Sequence, residues 1–219
     1  MMLMLVCSGL MAQTFSATNL SVAIPDGSAS GRSLRMTVTN EGTIARLTCR
    51  VRVAGQSNGD LYAYLRNMTP GRTNLVVLLN RTGRTAGNPW GRLDGGLDVV
   101  FDDRAAGDSH TATNLTGRLQ PDGRMDDPST ITDTSPRVNR LGDFAGMPVA
   151  GEWTLFMADV DRGGTNAVTA WELDIEPAWQ SSFLTNSPAG WRVSKSETLV
   201  PWVESTNQNP AMLFYRLAK

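Results

Sequence analysis

The sequence is poor in the groups that metal and thiol chemistry use. Two cysteines and one histidine stand among 219 residues. That is too few ligands for a zinc site and too few thiols for a disulfide-stapled framework. Basic residues are almost all arginine and are scattered, and the net charge is −1. No basic stripe therefore points to nucleic acid or to an anionic membrane surface. No apolar run is long enough to span a bilayer. No stretch keeps a helical apolar period over a useful length, no segment repeats, and no Gly-x-Ser-x-Gly turn is present.

What is present reads as strands and turns. Hydrophobic residues make up 41% and charged residues 19%, a globular balance rather than that of a disordered chain. The 21 Gly and 11 Pro are spread between short apolar runs, and the length suits one all-β domain with short extensions. Met1 to Ala12 is an apolar run ending in small residues. Residues 1–12 fit a secretory signal peptide cut after Ala12, which implies a secreted or cell-surface protein. A positively charged start is missing, and the same residues also fit a buried strand. Gln13 to Ser21 reads as a leader. Cleavage removes Cys7 and leaves Cys49 at an inward strand position, so stability has to come from the core.

Alternation with period two marks half-buried strands. From Ala45 to Val53 it is strict: Leu47, Cys49, Val51 and Val53 share one face, and Arg46, Thr48, Arg50 and Arg52 the other. Leu34, Met36 and Val38 form another inward set. So do Leu61, Ala63 and Leu65, opposite Tyr62 and Tyr64. Asn74 to Leu79 is an apolar run of strand length, and Leu97, Val99 and Phe101 follow. Between Gly151 and Pro177, Trp153, Leu155 and Met157 alternate on one strand, and Trp171, Leu173 and Ile175 on the next. Asp159 to Gly164 supplies the turn residues between them. This predicts a hairpin with a tryptophan on each arm, against which the other strands pack. A polar stretch runs from Arg104 to about Pro148, with a short strand predicted at Leu115–Leu119 and an apolar anchor at Leu141–Phe144. A loop that long is functional or is ordered by its own contacts or ions. After Pro177, residues 178–219 form an extension in which Trp191–Val193 and Met212–Tyr215 predict a short hairpin. The whole predicts an antiparallel sandwich or barrel.

Candidate chemistry is sparse. Asp108-Ser109-His110 puts the residue types of a hydrolytic triad side by side, but sequence neighbours rarely supply triad geometry. His110 is expected to be a solvated loop residue, and the chain is expected not to be an enzyme. Asp60, Asp102, Asp103, Asp159 and Asp161 fall at strand ends or turns. Gathered at one end of a sandwich, such carboxylates suit Ca²⁺, a hard cation that prefers oxygen. The alternative is that they bond turn amides. Tyr62, Tyr64 and Trp90 are candidates for an exposed protein- or glycan-binding face.

Five stretches, in order, resemble one family. They are Ile24-Pro-Asp26; Asn58-Gly-Asp-Leu61 through Thr69-Pro-Gly71; Leu78-Leu-Asn-Arg-Thr-Gly83; Val100-Phe-Asp-Asp103; and Gly151-Glu-Trp-Thr-Leu155 with Asp159, followed by Ala170-Trp-Glu-Leu173. Together they resemble the P domain (Homo B domain) that follows the catalytic domain of kexin, furin and secreted bacterial subtilisin-like proteases. The resemblance covers residues 20–177. It implies a jelly-roll antiparallel β-sandwich of about eight strands with no catalytic residues. It also implies that the domain packs beside a subtilisin-like protease domain, stabilises it and influences its calcium and pH dependence. Two places depart from the family pattern: Ala54-Gly-Gln-Ser57, where many members carry a His, and Asn166-Ala-Val168, which replaces a turn Gly.

Overall fold

The computed structural model describes residues 11–178. Most of the signal-like run and the predicted C-terminal hairpin lie outside the described residues. Residues Ala12–Ala178 form one compact unit.

Its strands are β1 (Gln13–Ala17), β2 (Val22–Ile24), β3 (Ser28–Val38), β4 (Ile44–Gly55), β5 (Leu61–Thr69), β6 (Arg72–Asn80), β7 (Leu97–Phe101), β8 (Thr116–Leu119), β9 (Gly151–Asp159) and β10 (Asn166–Pro177). They make two sheets arranged as a sandwich. One has the order β1-β10-β4-β7-β8, with β2 also on β10, and the other has the order β3-β9-β5-β6. Side-chain alternation assigns the faces. On β4, Leu47, Cys49, Val51 and Val53 are buried, as their spacing predicts. Outside, Arg50 and Arg52 pair with Asp98, and Arg46 with Glu176 and Asp102. The β5–β6 hairpin closes at Gly71, whose φ of 75° a side chain would strain.

Three expectations change. First, β9 and β10 do not pair. β9 lies between β3 and β5, while β10 pairs with β1, β2 and β4. The turn after Asp159 carries the chain from one sheet to the other. The reason is burial: Trp153 and Trp171 are 0% and 1% exposed, and each points inward from its own sheet into one core. Periodicity assigns each strand a face but does not name its partner. Replacing either ring by alanine costs about 3–5 kcal/mol. Second, Gln13–Ala17 is not a leader but an edge strand, paired from Gln13↔Ile175 to Ala17↔Trp171. Phe15 and Ala17 pack on the core. Third, β7 and β8 pair in parallel. A parallel neighbour needs a long crossover, and part of the polar stretch after Phe101 provides it. The Leu141–Phe144 anchor is a 3₁₀ turn whose Leu141 and Phe144 are buried, and Phe144 lies 5.3 Å from the Trp153 ring.

Candidate functional site

Two buried polar clusters stand out. The first is at one end of the sandwich. A 3₁₀ turn, Asn58–Asp60, leads into β5, and the β5–β9 register sets Leu61 opposite Asp159. Asp60, Asp159 and Asp161 are thereby brought together. Asp26 joins from the β2–β3 turn, where its Oδ1 accepts the amides of Gly163 and Gly164 at 3.1 and 3.4 Å. Arg81, just past β6, is buried with a backbone φ of 52°. Its Nε donates to the Gly59 carbonyl at 2.5 Å. Its Nη2 lies 3.2 Å from Asp161 Oδ2 and 3.7 Å from Asp60 Oδ1. Asp159 is 1% exposed. Its Oδ2 accepts from Asn166 Nδ2 at 2.8 Å, and its Oδ1 is buried with no partner. Burial pushes the Asp60 carboxyl up to about 6; Arg81 works against that shift, and Asp159, Asp161 and Asp26 add to it. Burial likewise raises Asp159, opposed by the Asn166 donor and the Asp161 amide and helped by the charges of Asp26 and Asp161.

Asp102 and Asp103 are elsewhere. Arg46, near the start of β4, binds Asp102, whereas Gly55, at the end of β4, pairs with Asn166 beside the acidic end. Asp102 Oδ2 accepts from Arg46 at 2.8 Å and from Arg118 at 2.7 Å. Burial opposes its ionisation, but the Arg104 amide and these guanidiniums hold the carboxyl below the usual range. Asp103 accepts the amides of Leu141 and Gly142 at 3.0 and 2.6 Å and so caps the 3₁₀ turn. The five predicted calcium ligands thus divide into a group of three and a structural pair. Among the described residues, no three His, Cys, Asp or Glu side chains are disposed to hold a metal ion. At the acidic end the cation beside Asp60 and Asp161 is the Arg81 guanidinium. The Arg81 guanidinium thus already lies against two of the three carboxylates.

The second cluster overturns the expectation for His110. This side chain is not solvated but fully buried. Its Nδ1 faces Asp122 Oδ2 at 3.0 Å and the Asn80 carbonyl at 3.1 Å, and its Nε2 faces the Arg84 carbonyl at 2.9 Å. Burial works against a charged imidazole here, but the Asp122 carboxylate and the Arg84 carbonyl outweigh it and raise the pKa above the ordinary value. Asp122 also accepts the Asn80 amide and Arg124 Nη1, each at 3.1 Å. Arg124 reaches on to the carbonyls of Asp133 and Ser135, and Arg137 to those of Pro121 and Asp122. These bonds order the polar stretch after Phe101. Ser109 is no nucleophile for this base, because its Oγ donates to the Leu78 carbonyl at 2.9 Å and neither imidazole nitrogen contacts it. The described residues form an all-β sandwich without an α/β catalytic architecture. Nothing local in the sequence singled out Arg81, Asp122 or Arg124, because their partners come from distant segments.

His110 is one of the residues lining a cleft of about 650 Å³, with Gly83, Arg92, Asp94, Thr111 and Asp133. Trp90 and Leu93 stand on the same loop, 61% and 76% exposed. That loop is pressed onto the 3₁₀ turn at Gly59, where a Cβ would meet the Trp90 carbonyl at 2.3 Å. On the outer face of the second sheet, Tyr62 and Tyr64 are half-buried and join Phe156. Tyr64 and Phe156 stack with ring centres 4.8 Å apart.

No protein-family model matches the chain, and no curated protein does. It is similar in structure to the serine protease of Aeromonas sobria, at 16% identity and a TM-score of 0.40 over 77% of this chain. It is also similar to a complex of Aeromonas sobria serine protease with its chaperone, at 15% identity and a TM-score of 0.40 over 76%. The chain spans about a quarter of the length of those solved chains, 27% and 26%. No helix among the described residues is long and apolar enough to cross a membrane.

Proposed function

We propose that this chain is a secreted, non-catalytic module of P-domain type, a jelly-roll sandwich that binds and stabilises a subtilisin-like serine protease domain. The observation that carries this reading is where the five resembling stretches fall. All lie in one sandwich, as core strands or the turns that close them. Leu61 to Gly71 is β5 and its turn, Leu78–Gly83 ends β6, and Val100–Asp103 ends β7. Gly151–Leu155 and Ala170–Leu173 supply the two core tryptophans from opposite sheets. The motif residues thus have a packing role that explains their spacing. The chain's one histidine is fully hydrogen-bonded within the fold, which supports a module without its own reaction centre.

Trp90 and Leu93 form the docking edge in this reading, since exposed aromatic and aliphatic anchors dominate protein interfaces. The test is to mix the purified chain with a subtilisin-like catalytic domain and follow co-elution and the half-life of activity on heating. Co-elution and protection, both weakened in Trp90→Ala, are expected. Separate elution with an unchanged half-life would remove the reading. A cell-surface glycan-binding role is the second reading, suggested by Tyr62, Tyr64 and Trp90. The Tyr64–Phe156 stack counts against it, because each ring covers a face that a sugar would need. Binding on a glycan array that Trp90→Ala abolishes would favour it.

A further inference from the structure

The sole histidine has an arrangement that fits only one of its protonation states. Three oxygens face the His110 ring: Asp122 Oδ2 and the Asn80 carbonyl at Nδ1, and the Arg84 carbonyl at Nε2. Carbonyl oxygens accept and cannot donate, so Nε2 must carry a proton toward Arg84. Nδ1 faces a carbonyl and a carboxylate, so it too must carry one. A neutral imidazole has one N–H and leaves a lone pair against an oxygen lone pair on one side. For a ring as buried as this one, that mismatch costs as much as an unmade hydrogen bond.

The surroundings are charged on several sides. Asp122 accepts from His110 through one oxygen and from Arg124 through the other. Asp108, on the histidine's own turn, accepts the His110 amide and lies 3.4 Å from Arg124. Arg92, Asp94 and Asp133 line the same cleft as His110, and Arg137 bonds the Asp122 carbonyl. The segment is also tied through its backbone. The Gly83 amide donates to the His110 carbonyl at 2.8 Å, the Ser109 amide to Gln120, and the Asp122 and Gly123 amides to Leu78 and Val77. The ring therefore sits where the polar stretch is fastened to the end of β6.

We propose that His110 is a protonation latch: as imidazolium it bonds Arg84 and Asp122 together, and loss of one proton loosens the segment around residues 104–124 and the cleft it lines. The sign follows from linkage. The raised folded pKa makes the latch's stabilising contribution complete below the ordinary histidine value of about 6.5. That contribution is lost as pH rises through the folded value. The consequence is a cleft whose His110-bearing wall is held in place in mild acid and loosens toward alkaline pH.

A single histidine makes the test unambiguous. Nitrogen-15 spectra of the imidazole in the whole chain, taken from pH 5 to pH 9, are expected to show both ring nitrogens protonated at about pH 6. The midpoint should lie above the ordinary value, and Asp122→Asn should lower it by about one unit. Amide exchange at Gly83 and Ser109 should accelerate through the same midpoint, beyond the intrinsic pH dependence of exchange. A neutral tautomer at pH 6, or a midpoint at or below the ordinary value, would overturn the proposal. So would a titration that leaves protection at those two amides unchanged. The wild-type measurements decide the matter even if Asp122→Asn fails to fold.

Discussion

The two buried polar clusters are built from the same residue types and end in opposite states. Around His110, each charge meets a complement: Asp122 receives donors on both oxygens, and Arg124 is bound by carboxylates and carbonyls. At the other cluster, one buried guanidinium lies against two of four carboxylates, Asp161 and Asp60, and Asp159 Oδ1 has no hydrogen-bond partner. One cluster is a closed set of bonds that fastens a long segment. The other is an end of the sandwich with surplus negative charge. The comparison teaches that burying charge does not by itself say whether a fold gains from it. The gain depends on whether every acceptor has a donor.

The largest effect that would test this contrast is on the satisfied side. Asp122→Ala strands His110 and Arg124 in the interior and should cost about 4 kcal/mol, a fall of roughly 10 °C in the thermal midpoint. A loss within the range of ordinary surface changes would show that the cluster does not fasten the segment. Next is Arg81→Gln, which leaves Asp60 and Asp161 without their cation and should cost about 2 kcal/mol. In that variant Ca²⁺ should restore part of the loss, while the wild-type midpoint should not respond to Ca²⁺ or chelator. A wild-type rise with Ca²⁺ would mean that the carboxylates take a metal despite Arg81.

Asp159→Asn should stabilise the fold at pH 7.5 by about 1 kcal/mol, since it removes a charge whose one oxygen is unmatched. Denaturant melts would refute this by showing a loss. The same logic predicts the pH profile. With a folded pKa near 6, Asp60 penalises the fold while ionised, and the penalty is relieved as pH falls through that value toward the ordinary carboxylate range. Asp102 and Asp108 work the other way. Burial opposes their ionisation, yet amides and arginines hold both pKa values down. Their contribution is present above the ordinary carboxylate value and is lost as pH falls through the depressed one. Stability should therefore peak on the acid side of neutrality, and a maximum above pH 8 would contradict the assignments of Asp60 and His110. The smaller effects are Asp103→Ala, which uncaps the 3₁₀ turn at about 1 kcal/mol, and Trp90→Ala. The latter should change stability by less than about 0.5 kcal/mol while weakening any protease association.

How much of this was legible beforehand depends on the range of the interaction. The faces of β4, β5, β9 and β10 follow from alternation alone, because a strand that buries one side must write that side every second residue. Leu141–Phe144 and Leu115–Leu119 were visible as apolar islands in a polar stretch. Partner choice was not visible. β9 and β10 look like two arms of a hairpin, since a Gly-rich turn between sheets has the same composition as one within a sheet. Gln13–Ala17 read as a leader because its alternation is short and its partner lies at the far end of the chain. The polar clusters were least visible. Asp60, Asp159 and Asp161 could be picked as strand-end carboxylates, but Arg81 reads as an ordinary exit from a strand. Nothing near His110 in sequence announces Asn80, Arg84 and Asp122 as its neighbours.

Cys49 lies midway along β4, 0% exposed between β7 and β10, and burial raises its thiol pKa. With Cys7 replaced by serine, a maleimide reagent reaches the Cys49 thiol only when the core packed over it opens. The rate of that alkylation is then a direct clock for whole-domain opening, read from a single atom that takes no part in either charged cluster.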